Sequence, residues 1–119
     1  MKTVLWISRH EMTGAQLADL ERSLGDAVYL LPWRESVTDL RALAPLIASS
    51  DAVAAVLPPD LLSQLLAESG GRPVLRAISG REPTGRVLRL PDGRSEAEYS
   101  YVHLGWEQLL RADFVTRRL

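Results

Sequence analysis

Two histidines, His10 and His103, are the natural acid–base groups of this sequence near neutral pH. His10 stands in Ser8-Arg9-His10-Glu11, directly after an apolar run and just before a helix start. Arg9 beside it carries a planar fork of donors suited to phosphate and carboxylate. The amides that open a helix at Thr13 add anion affinity close to His10. A third polar segment, Ser79-Gly80-Arg81-Glu82-Pro83-Thr84-Gly85, reads as a loop. It lacks the lysine of a phosphate-binding P-loop and precedes no helix, so it is no nucleotide fingerprint. His103 sits among Tyr101, Leu104 and Trp106. It reads either as a packed, satisfied histidine or, if its strand runs parallel to the first, as a neighbour of His10. His10 reads equally as a loop histidine donating to a backbone carbonyl, and the Gly80–Gly85 segment as a plain turn. Two histidines nearly a chain length apart give no metal-ligand spacing. No metal or cofactor is expected, and no Gly-x-Ser-x-Gly elbow is present.

The elements that position these residues alternate between strand and helix. Lys2 to Ile7 is apolar on both faces, the signature of a buried parallel strand. Thr13-Gly14-Ala15-Gln16 is a capping box, with Leu17, Leu20 and Leu24 as the inner stripe of its helix and Gly25 as its stop. Ala27 to Leu31 predicts a second strand, stopped by Pro32. Ser36-Val37-Thr38-Asp39 can cap a second helix, which Pro45 must kink or split. Asp51 to Leu57 predicts a third strand. Pro58-Pro59-Asp60 opens a third helix, where a missing N–H costs nothing. Pro73 to Ile78 predicts a fourth strand. After the polar loop, Arg86 to Leu90 and Glu98 to His103 read as a hairpin turning over Pro91-Asp92-Gly93-Arg94. Trp106 to Ala112 reads as a short helix and Phe114 to Leu119 as an edge strand. The whole predicts a single α/β domain over residues 1–119: a small three-layer, Rossmann-like fold with a mainly parallel sheet and a C-terminal hairpin. Ligands of such sheets lie beyond the carboxyl ends of the strands, the edge that receives Ser8–Glu11, Pro58–Asp60 and Ser79–Gly85.

Composition narrows the class. Hydrophobic residues make up 46% and charged residues 24% of the 119, ordinary values that exclude a disordered chain, a collagen and a coiled coil. The absence of cysteine excludes a disulfide scaffold, a thiolate zinc site, a thiol nucleophile and an iron–sulfur cluster. The longest apolar run, Ala52 to Leu57, is far short of the ~20 residues of a membrane span. The apolar run after Lys2 is too short for a secretory signal, so a cytoplasmic address is expected. A net charge of −1 speaks against a duplex DNA binder. The charge is uneven: residues 1–71 hold five basic and nine acidic side chains, residues 72–119 nine and six. Arg72, Arg76, Arg81, Arg86, Arg89 and Arg94 crowd one stretch, which reads either as codon bias or as a local anion site.

Two resemblances meet at the first loop. Arg9-His10-Glu11-Met12-Thr13 after a buried strand resembles the Arg-His-Gly-Glu-Thr signature of histidine phosphatases, in which the histidine is the phosphorylated nucleophile and the arginine holds the phosphate. The glycine is missing here, which puts Glu11 and Thr13 out of register. The longer segment Leu5 to Leu17 resembles the first strand, histidine loop and first helix of small stand-alone proteins of the CRISPR-associated Rossmann-like (CARF) superfamily, ring nucleases among them. That resemblance implies a cytoplasmic homodimer that binds a cyclic oligoadenylate messenger at the carboxyl edge of the sheet. It implies cleavage without metal, a ribose 2′-hydroxyl attacking the adjacent phosphate to leave a 2′,3′-cyclic phosphate. Carried over, His10 is the acid or base, Arg9 the oxyanion clamp and Ser8 a loop contact. Gly80, Arg81, Thr84 and Gly85 supply further phosphate contacts, and His103 is a ligand neighbour. The alternatives are a phosphatase using His10 and a non-enzymatic regulatory module whose loops only bind.

Overall fold

A computed structural model describes residues 1–113 and 115–119. Its elements are β1 (Lys2–Ile7), α1 (Gly14–Leu24), β2 (Val28–Trp33), a 3₁₀ turn (Leu40–Leu43), α2 (Ala44–Ala48), β3 (Ala52–Ala55), α3 (Pro59–Glu68), β4 (Val74–Arg89) and β5 (Ser95–Gln108). The sheet order is β2-β1-β3-β4-β5. The first four strands pair in parallel, and β5 returns antiparallel to β4. The expected α/β class, mainly parallel sheet and C-terminal hairpin are all present.

Side-chain alternation along the strands divides the core into two layers. Val4 and Trp6 of β1, Ala52 and Ala54 of β3 and Leu75 of β4 pack under Leu20 of α1. Leu5, Ile7, Val53, Ala55 and Val74 point the other way, against Leu40, Leu43, Ile47 and the leucines of α3. Helices therefore cover both faces, which is why β1 and β3 read as unbroken apolar runs.

The local signals act as their chemistry dictates. Thr13 Oγ1 accepts from the Gln16 amide while the Gln16 side chain accepts from the Thr13 amide, closing the capping box. Gly25 ends α1 in the left-handed region at φ 70°. Pro45 splits the second helix: a 3₁₀ turn capped by Asp39 precedes five residues of α2. Pro32 does not stop β2, which runs on to Trp33. On an edge strand the missing N–H faces no neighbour, so proline is tolerated.

Three expectations at the end of the chain fail. Ser79–Gly85 is not a loop: β4 continues through it to Arg89, paired with β5. The glycines and proline mark irregularities in a strand instead. Pro83 pairs with Tyr99 and Val87 with Ala97, so three residues of β4 oppose one of β5, and Gly85 takes φ 83° there. Trp106–Ala112 is not a helix. β5 extends to Gln108, because Trp106 pairs with Ala77 and its indole packs edge-on to Trp6 with centroids 6.0 Å apart. Of the expected edge strand Phe114–Leu119, Phe114 lies outside the described residues and Val115–Leu119 form no strand.

The long β4–β5 ribbon gives the molecule its shape. Past Ile78 it leaves the sheet as a two-stranded arm whose residues are mostly exposed, Tyr101 and Val87 among them. The radius of gyration is 17.5 Å, against about 13.5 Å for a compact domain of this length. Among the described residues no helix is long and apolar enough to cross a membrane.

Candidate functional site

The loop from β1 to α1 lies at the carboxyl edge of the sheet, and two clefts flank it. The first is a hollow of about 240 Å³ at the ends of β1 and β3, lined by Ser8, Arg9, Ser36, Val56 and Pro58 among others. Ser8 is buried where β1 leaves the sheet, its amide bonded to the Trp33 carbonyl at 3.1 Å. Its Oγ accepts from the His10 amide at 3.1 Å, which tightens the turn. Arg9 is exposed and donates through Nη2 to Ser36 Oγ at 2.8 Å. A guanidinium held at one corner keeps its other donors available to an anion.

His10 is exposed, and its carbonyl accepts from Trp6 Nε1 at 2.9 Å. The loop is thus pinned by its backbone, and the His10 side chain lines neither cleft.

The second cleft, about 530 Å³, lies between the first turn of α1 and the root of the arm. Thr13, Ala15 and Gln16 form one wall; Ser79, Tyr101, Val102 and His103 form the other. His103 arrives by a route the sequence did not suggest. β5 runs opposite to β1, so the condition for a shared edge fails. Yet β4 and β5 both overrun the ends of β1 and β3, and His103 sits opposite Ser79, beyond them. Ile78 pairs with Gly105 and Ser79 with His103, which leaves Leu104 as a bulged residue. The bulge turns His103 onto the same face as Trp106, with ring centroids 5.8 Å apart.

There His103 Nε2 donates to Asp19 Oδ2 of α1 at 2.8 Å. The Arg22 guanidinium, with help from His103, holds the Asp19 carboxyl below the usual carboxylate range. An ionised carboxylate only accepts, so the ring proton belongs on Nε2 and the neutral ring keeps its lone pair on Nδ1. The His103 side chain is 10% exposed, and Nδ1 is buried without a hydrogen-bond partner.

The other expected contacts lie elsewhere. Gly80, Arg81, Thr84 and Gly85 are on the arm and line neither cleft. Arg81 stacks over Tyr99 at 4.8 Å, and Thr84 Oγ1 accepts from the Arg86 amide. The arginine-rich stretch does not converge. Arg72 caps backbone carbonyls, Arg76 pairs with Glu107 and Arg94 with Asp92. Among the described residues no three His, Asp or Glu side chains gather as a metal-binding group.

Asp19, Ser36 and Ser79 were not legible as site residues. Asp19 has the sequence signature of a solvated helix position, three residues before Arg22, and nothing local marks its partner 84 residues away. No protein-family model, curated protein or solved structure matches the chain.

Proposed function

We propose that this chain binds a cyclic oligoadenylate messenger as a homodimer and opens the ring without a metal. The observation that carries the reading is the first cleft. It lies at the carboxyl ends of parallel strands, where such sheets take their ligands, and its lining sets the exposed Arg9 and the serines Ser8 and Ser36 beside Glu35, the arginine being the group that takes an anion. Its 240 Å³ is less than a drug-sized ligand fills. A ring of several nucleotides therefore needs two such half-sites, which is the argument for two copies. Arg9 clamps the phosphate as negative charge builds on it. His10 stands outside the lining of this cleft, so to move the proton between the 2′-hydroxyl and the leaving 5′-oxygen its exposed side chain must swing over the rim from a backbone fixed by the loop hydrogen bonds to Ser8 and Trp6. The internal nucleophile makes positioning the main task of the protein. Such a messenger is cytoplasmic, and so is its enzyme.

The test is incubation with a panel of cyclic oligoadenylates in EDTA, products resolved by chromatography, beside Arg9→Ala and His10→Ala. Linear products ending in a cyclic phosphate, slowed at least tenfold in both variants, are expected. Hydrolysis of simple phosphate monoesters through a His10 phosphoenzyme would replace this reading with a phosphatase. A melting shift with a ring but no turnover would leave a binding module. An untouched panel with no shift would overturn the proposal.

A further inference from the structure

The geometry points to a second site, independent of ring cleavage: Ser79 is a nucleophile activated by His103 and Asp19 in the cleft at the start of α1. His103 reaches across to α1 with its distal Nε2, so Nδ1, the nitrogen nearer the backbone, stays close to its own strand. A buried acceptor without a donor is costly. The groups that can reach Nδ1 belong to the sheet neighbours on the same face. Ser79 stands directly opposite His103 in the β4–β5 register, and opposed residues carry their Cβ atoms about 5 Å apart. Ser79 is exposed and lines the same cleft. The two make no hydrogen bond in this structure, and the assignment requires the Ser79 hydroxyl to turn onto Nδ1 when substrate fills the cleft.

The opposite wall supplies what a nucleophile needs next. The first-turn amides of a helix have no carbonyl partner within it. In α1 the capping Thr13 side chain takes the Gln16 amide, leaving those of Gly14 and Ala15 facing outward at the positive end of the helix. They are donors for an oxyanion. Ala15 and Tyr101, the latter on the same face of β5 as His103, give the cleft an apolar lining suited to a short acyl chain. The substrate class is therefore a small acyl ester.

The chemistry balances with water alone. Ser79 gives its proton to His103 Nδ1 and its Oγ bonds to the carbonyl carbon, the oxyanion resting on the α1 amides. The C–O bond to the alcohol breaks as that oxygen takes the proton from Nδ1. A water then gives a proton to Nδ1, its oxygen attacks the acyl carbon, and Ser79 Oγ leaves with that proton. Asp19 is a positioning residue, fixing which ring nitrogen carries hydrogen.

The experiment is incubation of the full chain with a short-chain alkyl fluorophosphonate, followed by intact-mass and peptide mapping. One adduct, on Ser79, is expected; none in Ser79→Ala; and labelling slowed roughly 100-fold in His103→Gln. Should His103→Gln fail to fold, Asp19→Asn carries the same comparison. ¹⁵N shifts of the neutral His103 ring are expected to report hydrogen on Nε2 in the wild type and a mixture of tautomers in Asp19→Asn, which a merely structural Asp19 would not produce. No adduct, an adduct on another serine, or wild-type labelling in the His103 variant (in Asp19→Asn if that variant stands in) would overturn the assignment.

Discussion

Asp19 Oδ2 and His103 Nε2 lie 2.8 Å apart and tie the middle of the first helix to the last strand. This contact fixes where the arm leaves the body, because the neighbouring Trp106 indole also donates to α1, at the Gln16 carbonyl, 2.9 Å away. Two side chains from one strand thus clamp α1 over the edge of the sheet.

The Asp19 contact carries a pH dependence whose sign follows from the carboxyl. Its folded-state value is lowered from the ordinary 3.8, first by Arg22 and then by His103. A lowered carboxyl stabilises the fold above its unfolded value and loses that contribution as pH falls through the folded one. Asp19→Asn is therefore expected to melt below the wild type at pH 7. The gap should close as the pH is taken below 3.8, a trend read from melting curves at a series of pH values. A gap constant down to pH 2 would remove the charge from the explanation.

Arg72 tests whether the basic stretch is structural at its start. Its guanidinium donates to the carbonyls of Ser50, Ser69 and Ala48 at 2.8, 3.2 and 3.1 Å. These are carbonyls at and just past the ends of α2 and α3, which have no acceptor role within a helix. Arg72→Ala leaves them short of donors and is expected to cost about 2 kcal/mol by denaturant titration. It should leave the affinity of any anionic ligand unchanged. A loss of ligand affinity without a loss of stability would reverse this assignment.

Gly25 is held at φ 70°, and a Cβ there meets nothing within 4 Å. The substitution Gly25→Ala therefore isolates backbone strain from packing. The left-handed region costs a non-glycine residue about 1 kcal/mol, so a melting temperature lower by about 4 °C is expected.

The sequence by itself determined the parallel body of this protein. β1, β3, α1 and α3 were legible because their signals are local: unbroken apolar runs, a capping box, prolines at a helix start, a glycine at a helix end. The first loop was legible for the same reason, since Ser8, Arg9 and His10 must follow β1 and precede α1. Only the tertiary structure decided the end of the chain. Ser79–Gly85 carries loop residues and Trp106–Ala112 carries helix formers, yet the first segment lies wholly in β4 and β5 runs through the first three residues of the second. Strand pairing satisfies backbone groups regardless of local propensity, and the burial of Trp106 against Trp6 outweighs the preference of the residues after it. The second cleft belongs to the same class of fact. Its residues come from α1, β4 and β5, and a one-residue bulge at Leu104 sets which face His103 occupies. Pairing register is a long-range property, and no spacing within one segment encodes it.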